Sequence, residues 1–440
     1  MLTNAEINFD GLIGPTHNYG GLSLGNNASQ DNSKQVSSPK DAALQGLKKM
    51  KLLMEESIPQ GIFLPHERPH LKGFSKLGFT GNIEKVLNDA YAVNPNLVSC
   101  FYSASSMWAA NAATFSPSMD NIDNAIHITV ANLKSMMHRS IEPKFTYKML
   151  KRIFNKKVNI NKSLLNLPNI GDEGAANHIR IAERHNVPGY QIFVYSSENI
   201  SHAKTIERQS LIGSKLIARK NCVKDQRVFY LQQSNKAIRY GCFHNDIVST
   251  ANENIFIYHE EAFESTQELK VILAKLKKLV PNFKPIKILN SEIDLQTIIS
   301  SYLLNSQLIS LPSGGMMFLL PSEVKQYPNC MQWLEKISAE EEIKKIKFID
   351  VKQSMRNGGG PACLRLRMIF NENEISSVNK NFLLDDNKID LLTNLIENKY
   401  RDRLQPDDLL DPNLADESLE ILDALTKIFK TGSIYNFQKI

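Results

Sequence analysis

Apolar residues recur along this chain with two different periods, and each period predicts one kind of element. Short apolar or alternating runs predict strands at 192–195, 228–231, 255–258, 316–320 and 346–351. Longer stretches with an apolar residue at every third or fourth position predict amphipathic helices at 41–56, 260–280, 388–400 and 417–429. Because the two kinds of segment are mixed over the whole length, the pattern favours an α/β or α+β fold.

The helix predicted at 260–280 shows the helical period most clearly. Its apolar stripe consists of Leu269, Ile272, Leu276 and Leu279. No low-complexity linker, sharp change in composition or visible repeat divides the chain. Residues 1–440 are therefore expected to form one unit rather than a string of separate domains.

Composition and charge remove several classes of function. The net charge of +6 comes from 52 basic and 46 acidic residues that are spread along the chain. No basic cluster is interleaved with aromatic residues, so nucleic-acid binding has little support. The first residues lack the basic and apolar regions of a secretory signal, and no apolar run is long enough to predict a membrane span.

The cysteines indicate a reducing compartment. They are odd in number, dispersed, and free of any CxxC pair: Cys100, Cys222, Cys242, Cys330 and Cys363. This pattern argues against a disulfide framework or a zinc knuckle and is typical of a cytoplasmic protein.

One of these cysteines follows a run of glycines in the segment 357–363, NGGGPAC. The residues after it alternate as in a strand, so that Cys363, Arg365 and Arg367 share one face. Glycine allows backbone to pass close to a ligand, and cationic neighbours favour the reactive thiolate. Taken alone, the segment fits a nucleophile and a buried structural cysteine equally well.

The segment 66–70, HERPH, is a literal match to the HExxH motif of zinc proteases. That motif requires a helix, so that both imidazoles project from one face. Pro69 lies between the two histidines, and proline inside a helix costs about 3 kcal/mol. The sequence therefore favours a structural loop over a metal site.

Three further segments carry chemical groups with weaker signals. The loop 17–26 is rich in glycine and small polar residues, which suits either a small-ligand site or an ordinary turn. If 241–249 runs as a strand, His244 and Asp246 point to the same side, where they are either a functional pair or a polar surface. Glu173 lies in a glycine-flanked turn, where it either favours a helix dipole or acts as a fixed carboxylate.

Together these segments supply a thiol, an imidazole and two carboxylates. This set suits attack on a carbon that carries amino groups, with a carboxylate holding the cation in line.

The chain resembles the N-succinylarginine dihydrolase family, part of the guanidino-group-modifying (pentein) superfamily. The resemblance rests on unusual strings in the expected order along nearly the whole chain: 8–12 (NFDGL), 19–26 (YGGLSLGN), 65–69 (PHERP), 107–114 (MWAANAAT), 138–140 (HRS), 171–178 (GDEGAANH), 243–246 (FHND), 305–308 (NSQL), 357–367 (NGGGPACLRLR) and 400–404 (YRDRL).

The resemblance implies an α/β fold, a five-bladed propeller of ββαβ modules around a central active site, with residues 1–440 as a single catalytic domain. It implies Cys363 as nucleophile, with His244 and Glu173 completing the catalytic set. It also implies a substrate-binding set: Gly20, Gly21, Leu22, Ser23, Leu24, Gly25, Asn26, Asn27, Ala28, Ser29, Asn111, His138, Arg139, Arg208, Asp246 and Asn357.

The implied reaction converts N2-succinyl-L-arginine and two waters to N2-succinyl-L-ornithine, two ammonia and carbon dioxide, in arginine catabolism. Ionisation of the thiol is expected to be helped by the bound cation, by His244 or by Arg365, and the sequence does not rank these. No metal or organic cofactor is needed, and the resemblance implies a cytoplasmic homodimer that binds neither nucleic acid nor membrane. The alternatives are a single-round guanidine deiminase, a Cys-His amidase and a binding scaffold without turnover.

Overall fold

The computed structural model describes residues 4–196, 208–339 and 342–439. Within them the chain forms fifteen strands that are short, most of them of four to six residues. Their bounds are β1 Asn4–Gly11, β2 Gln60–Phe63, β3 Ala113–Ser116, β4 Ile126–Val130, β5 Val158–Asn161, β6 His178–Ile181, β7 Tyr190–Tyr195, β8 Val228–Gln232, β9 Ser249–Asn252, β10 Ile255–His259, β11 Lys284–Ile288, β12 Gln307–Ser310, β13 Met316–Pro321, β14 Ile343–Ile349 and β15 Arg365–Asn371.

These strands form five three-stranded sheets, which we call blades 1 to 5. In chain order their strands are β15-β1-β2, β3-β4-β5, β6-β7-β8, β9-β10-β11 and β12-β13-β14. In every blade the central strand is antiparallel to the strand before it and parallel to the strand after it. A parallel pair needs a crossover connection, and helices supply it in each blade.

The helices fall into crossovers and connections between blades. Their bounds are α1 Asn27–Asp31, α2 Pro39–Glu55, α3 Leu71–Lys76, α4 Ile83–Val93, α5 Pro95–Tyr102, α6 Met137–Ser140, α7 Pro143–Ile153, α8 Leu211–Lys220, α9 Asn235–Arg239, α10 Thr266–Leu279, α11 Leu295–Ser301, α12 Pro328–Ile337, α13 Lys352–Arg356, α14 Glu372–Ile375, α15 Asp386–Lys399 and α16 Pro412–Ile428. The crossovers contain α2, α7, α8, α10 and α12. The predicted arrangement of five ββαβ modules is thus confirmed.

Blade 1 joins the two ends of the described chain. Strand β15 pairs with β1 in a register that places Ile7 opposite Met368 and Asp10 opposite Arg365. The N-terminal strand is therefore held between β15 and β2, and the ring of blades is closed by hydrogen bonds between strands at opposite ends of the sequence.

The predicted elements are present, with some shifts at their ends. The five predicted strands correspond to β7, β8, β10, β13 and β14, although β14 begins and ends earlier than 346–351. Of the four predicted helices, the one at 260–280 begins only at Thr266, because Ser265 caps it with a hydrogen bond to the Glu268 amide. On its stripe Leu276 is fully buried, but Leu279 is 48% exposed because it occupies the last turn.

A cavity of about 130 Å³ lies where the five blades meet. Its wall includes strand residues of blades 1 to 4 and the residue that precedes β12 of blade 5: Arg365, Phe115, His178, Ser249 and Ser306. The segment that precedes the first strand of each blade approaches this central region. These five segments carry the chemical groups singled out in the sequence.

Candidate active site

Cys363 lies in the turn before β15 and is buried. Its Sγ atom is 3.3 Å from Asn305 Nδ2 and 3.5 Å from Asp246 Oδ2. The predicted alternation is present, since Leu364 and Leu366 are both about 1% exposed, but the strand itself begins only at Arg365. The thiol therefore lies in the turn immediately before the strand rather than within the strand.

The glycines before Cys363 allow the loop to fold tightly around Asn305. Gly358 has a φ of +111°, which disfavours other residues, and its carbonyl accepts a hydrogen bond from Asn26 Nδ2 at 2.9 Å. The Gly360 amide donates to Asn305 Oδ1 at 2.8 Å, and a Cβ on Gly360 would come within 2.7 Å of the same oxygen. The glycines of this loop thus allow its backbone to approach the Asn305 side chain closely.

The arginines that alternate with Cys363 are engaged elsewhere. Arg365 Nη1 lies 3.3 Å from Glu6 Oε1 and 3.1 Å from Asn8 Oδ1, and Arg367 Nε lies 3.3 Å from the same Glu6 oxygen. The expected cationic neighbours of the thiol therefore bind Glu6. Burial, with a contribution from Asp246, raises the pKa of the Cys363 thiol well above its ordinary value.

Asp246 is a partly buried residue, and one of its carboxyl oxygens has no described partner. Its Oδ2 accepts from the Cys363 thiol, whereas its buried Oδ1 has no hydrogen-bond partner among the described residues. Burial raises the pKa of Asp246 to about 7, and hydrogen bonds from Cys363 and Asn305 offset only part of that rise. The segment 241–249 is not the strand considered above, because a 3-10 turn at Asn245–Ile247 separates His244 from β9.

His244 forms a buried pair with Glu173. The Nε2 atom is 3.0 Å from Glu173 Oε2, and Ser135 Oγ donates to the other carboxylate oxygen at 2.7 Å. Burial alone would raise the pKa of Glu173, but the contact with His244 and the charges of Arg208 and Arg139 lower it to about 2. Burial lowers the pKa of His244 to about 4, and its Nδ1 has no partner among the described residues.

Glu173 is fixed by its backbone as well as by its side chain. Its amide donates to Gln209 Oε1 at 2.7 Å, and its carbonyl accepts from Asn111 Nδ2 at 2.6 Å. The next residue, Gly174, has a φ of +72° and opens the 3-10 turn Gly174–Asn177. This short turn, rather than an α-helix, then leads into β6.

Two arginines and a histidine lie near Glu173. Arg139 contacts Asn111 Oδ1 at 3.4 Å and Glu142 Oε2 at 3.5 Å, and its buried Nη2 has no described partner. Arg208 lies with its guanidinium 4.5 Å from the centre of the Phe243 ring. Burial lowers the pKa of Arg208 to about 10, so the side chain stays charged at neutral pH. Burial and the charges of both arginines hold the pKa of His138 well below its ordinary value.

The loop 20–29 connects several of these segments. Besides the contact of Asn26 with Gly358, the carbonyl of Leu24 accepts from Arg208 Nη2 at 2.6 Å. Asn27 Nδ2 donates to the Tyr240 carbonyl at 3.1 Å. The loop thus touches the arginine cluster, the His244 segment and the cysteine loop. Asn357 is the residue that caps the C-terminus of α13, immediately before the glycines of the cysteine loop.

Asn305, Ser135 and Gln209 had been given no role from the sequence, yet they contact the thiol or Glu173. Asn305 lies in the recognised string 305–308, but nothing in that string indicates contact with a residue 58 positions away. Ser135 and Gln209 sit outside any distinctive motif.

The HExxH-like segment 66–70 is an irregular loop that precedes α3. The His66 ring packs 4.7 Å from the ring of Phe145, and Glu67 Oε2 accepts from the Asn436 amide at 2.7 Å. The segment therefore has the structural contacts expected of a loop.

Comparison with known proteins identifies the family. The succinylarginine dihydrolase model matches residues 3–438. The chain belongs to the succinylarginine dihydrolase family. It is 44% identical to the N-succinylarginine dihydrolase of Shewanella amazonensis and 44% identical to that of Aeromonas hydrophila, over 99% of this chain and of each relative.

Solved structures support the fold of this succinylarginine dihydrolase family member. ArgZ, an arginine dihydrolase from cyanobacteria, superposes with a TM-score of 0.53 at 15% identity, covering 82% of this chain and 40% of that one. Its separate N-terminal domain, bound to product, gives a TM-score of 0.52 at 14% identity and is covered to 97%. The architecture is the pentein fold, the five-bladed α/β propeller expected from the resemblance.

The arrangement brings together a thiol, a partly buried carboxyl without a cationic partner among the described residues, and a buried imidazole–carboxylate pair. A cationic, planar group suits the Asp246 carboxylate beside the thiol, because a guanidinium donates hydrogen bonds to carboxylate oxygens. The neighbouring arginine cluster suits a carboxylate group on the same ligand.

Proposed function

We propose that this chain hydrolyses N2-succinyl-L-arginine, releasing N2-succinyl-L-ornithine, two ammonia and carbon dioxide in arginine catabolism, with Cys363 as the nucleophile. The observation that carries the proposal is the pairing of a buried thiol with Asp246, a partly buried carboxyl that lacks a cationic partner among the described residues. A guanidinium supplies that missing charge.

The bound cation also accounts for ionisation of the thiol. Arg365 is engaged by Glu6, and His244 is neutral at physiological pH because burial lowers its pKa to about 4. Of the three sources of help, the substrate's guanidinium is the one left to place a positive charge beside the thiolate, and neutral His244 serves as the acceptor of the thiol proton. Its charge lowers the pKa of both Asp246 and Cys363 when it enters the site.

The first round breaks one carbon–nitrogen bond. The Cys363 thiol gives its proton to His244 Nδ1, and the thiolate attacks the guanidinium carbon. The imidazolium, held by Glu173, passes that proton to the departing nitrogen, and ammonia leaves as an S-amidino adduct remains. Neutral His244 then takes a proton from water, whose oxygen attacks the adduct and releases the thiolate and a ureido product.

A second round at the same sulfur completes the reaction. The thiolate attacks the ureido carbon, a second ammonia leaves, and a thiocarbamate forms on Cys363. A second water hydrolyses the thiocarbamate to a carbamate, which loses carbon dioxide to give the amine of N2-succinyl-L-ornithine. Two waters are consumed, so the atoms balance.

Recognition of the succinyl end is assigned to the cationic cluster. The free Nη2 of Arg139 and the charged guanidinium of Arg208 suit the two carboxylates of the substrate. Neutral His138 and Asn111 add hydrogen-bonding groups beside them. The loop 20–29 contacts Arg208 through Leu24 and the cysteine loop through Asn26, so it covers both ends of the bound molecule. Asn357 lies at the start of the cysteine loop, within reach of the same ligand.

The experiment is a count of ammonia released per molecule consumed. Complete turnover of N2-succinyl-L-arginine should release two ammonia, and free arginine should release none at a comparable rate. One ammonia per substrate would instead support the single-round guanidine deiminase. Absence of ammonia from either compound, with hydrolysis of an amide, would support the Cys-His amidase and overturn the proposal.

Three further expectations from the resemblance stay predictions: a homodimer, a cytoplasmic location, and a single catalytic domain that binds neither nucleic acid nor membrane. Among the described residues, every helix is too short or too polar to cross a bilayer. Light scattering of the purified chain measures the oligomeric state. A mass equal to one chain would contradict the homodimer.

A further inference from the structure

A cluster of three potential metal ligands lies outside the candidate active site. It consists of Asp123, His127 and Cys222, whose donor atoms all lie within 4.8 Å of one another. Among the described residues, this is the one group of three or more such side chains close enough to hold an ion. Nothing in the proposed reaction uses it.

The cluster lies at the far end of its blade from the catalytic thiol. In blade 2, β3 begins beside the catalytic centre, just after Asn111, and Ala113 is paired with Val130. At the opposite end of the same strand pair, Ser116 is paired with His127. A metal bound to His127 therefore lies at the opposite end of the β3–β4 pair from the proposed catalytic centre.

The three side chains come from two different blades. Asp123 lies in the turn between β3 and β4 of blade 2 and His127 lies in β4, whereas Cys222 follows α8 of blade 3. The two segments are already joined, because Asn121 forms a β-bridge with Val223. The Ile122 amide also donates to the Cys222 carbonyl at 2.8 Å. The backbone thus presents the thiol to the other two groups.

The imidazole is held in place before any metal arrives. His127 is buried, with 5% of its surface exposed, and its Nε2 lies 2.8 Å from Asp123 Oδ2. Its Nδ1 is buried without a hydrogen-bond partner among the described residues. The Asp123 carboxylate is 43% exposed, which gives an ion a path from solvent and leaves that side chain free to adjust.

We propose that Asp123, His127 and Cys222 form a Zn²⁺ site that joins blades 2 and 3. A thiolate, an imidazole and a carboxylate are the three ligand types that zinc accepts, whereas Mg²⁺ and Ca²⁺ require oxygen donors. Water occupies the fourth tetrahedral position. The inference stands independently of the proposed function.

The test is zinc binding by the full chain, measured against a chromogenic chelator. The Cys363→Ala variant serves as the parent, so that the proposed catalytic thiol contributes nothing to the count. The parent should hold about one zinc ion per chain. Cys222→Ser and His127→Gln in that background should each weaken binding by more than about 100-fold, since even loss of an outer partner costs 10–100-fold.

Two controls separate this site from other thiols. Cys330→Ala, at a buried cysteine in α12, should leave zinc binding unchanged. Cobalt added to the wild-type chain should give a thiolate-to-metal absorption band that Cys222→Ser abolishes and Cys363→Ala retains. Zinc should also raise the melting temperature of the parent but not that of its Cys222→Ser derivative.

The proposal is overturned if the parent binds no zinc, or if Cys222→Ser retains the affinity of the parent. It is equally overturned if the cobalt band disappears in Cys363→Ala and persists in Cys222→Ser. That result would place the metal at the catalytic thiol.

Discussion

Glu6 is a buried carboxyl and Asp246 is a partly buried one, and the fold gives them opposite surroundings. Glu6 has two cationic partners from the chain itself, Arg365 and Arg367 at 3.3 Å, and it also lies 3.1 Å from His185 Nε2. Although burial opposes it, these partners hold the pKa of Glu6 well below its ordinary value. Within the described part of the chain Asp246 has no such partner, and burial raises its pKa to about 7.

The difference distinguishes a structural carboxylate from one reserved for a ligand. Removing a charge from water is costly unless a counter-charge replaces the lost solvation. At Glu6 the fold supplies that counter-charge permanently. At Asp246 the cost remains in the free protein, and a guanidinium that enters beside Cys363 relieves it. The unpaired carboxyl therefore favours binding of a cation.

Cys363→Ala tests whether the thiol beside Asp246 is the reacting group. The variant should lose at least about four orders of magnitude in the rate of ammonia release, as expected for removal of a nucleophile. Substrate affinity, measured by calorimetry, should survive because Asp246 and the arginine cluster remain. Cys330→Ala is the matched control, and it should keep wild-type turnover. An active Cys363→Ala protein would remove the nucleophile assignment.

Asp246→Asn tests the functional half of the comparison, namely whether the charge of Asp246 is needed for activity. The amide keeps the shape but removes the charge, so kcat/KM should fall by about 10²–10³-fold, as when a preorganised polar group is lost. The unfolding free energy at pH 8 should rise, because the variant no longer buries an unpaired charge. Urea denaturation measures that change. Equal losses of activity and stability would show that Asp246 is structural.

Glu6→Gln tests the structural half of the comparison, namely whether the charge of Glu6 is needed for stability. It leaves the Arg365 and Arg367 charges buried without compensation, which costs about 3–5 kcal/mol of unfolding free energy. The folded fraction should retain its ammonia release per active site, because Glu6 does not contact Cys363. Activity normalised to intact protein by active-site titration checks this. A loss of turnover with stability unchanged would reverse the roles of the two carboxyls.

The pH dependence of substrate affinity sharpens the same contrast. Asp246 has an ordinary pKa of 3.8 and a folded pKa of about 7, so the folded protein binds the extra proton between these values. Its charged form is a burden on stability above about pH 7, and that burden disappears as the pH falls towards 3.8. Guanidinium binding requires the charged form. Affinity should therefore fall about tenfold per pH unit below about pH 7.

Calorimetry with Cys363→Ala measures this dependence without turnover. The double variant Cys363→Ala/Asp246→Asn should bind weakly and with little change across the same pH range. If it shows the same decline, then another group titrates, and the unpaired state of Asp246 does not control binding.

Part of this molecule is visible in its sequence because it depends on neighbours along the chain. The longer strands and helices have enough residues to show a period, as β13 and α10 do. Four-residue strands such as Ala113–Ser116 and Ser249–Asn252 are too short to show one. The cysteine loop was conspicuous because its glycines are local requirements of a tight turn.

The rest depends on contacts between distant residues. The sequence places Arg365 beside Cys363, but the pairing of β1 with β15 brings Glu6 and Asn8 to that arginine instead. Asp246 reaches Cys363 across 117 positions, and Asn305 reaches it across 58. The roles of these residues follow from closure of the ring of blades, which no local pattern records.

Glu173 combines features of Glu6 and Asp246, because the fold satisfies its charge and it also takes part in the proposed reaction. Ser135→Ala tests how much the hydrogen-bond partners of Glu173 contribute to turnover. Glu173 shares one oxygen with His244 and accepts from Ser135 through the other. Loss of the hydroxyl leaves the carboxylate free to rotate and weakens its hold on the imidazolium formed during each round. A hydrogen bond to a charged group contributes about 1.5–3 kcal/mol, so kcat should fall about tenfold or somewhat more while KM changes little. Ser140→Ala is the control, since the Ser140 hydroxyl donates to the Met137 carbonyl at 2.9 Å, away from Glu173. An increase in KM with kcat preserved would mean that Ser135 supports substrate binding, and Glu173 would then resemble Glu6 as a carboxylate already satisfied by the fold.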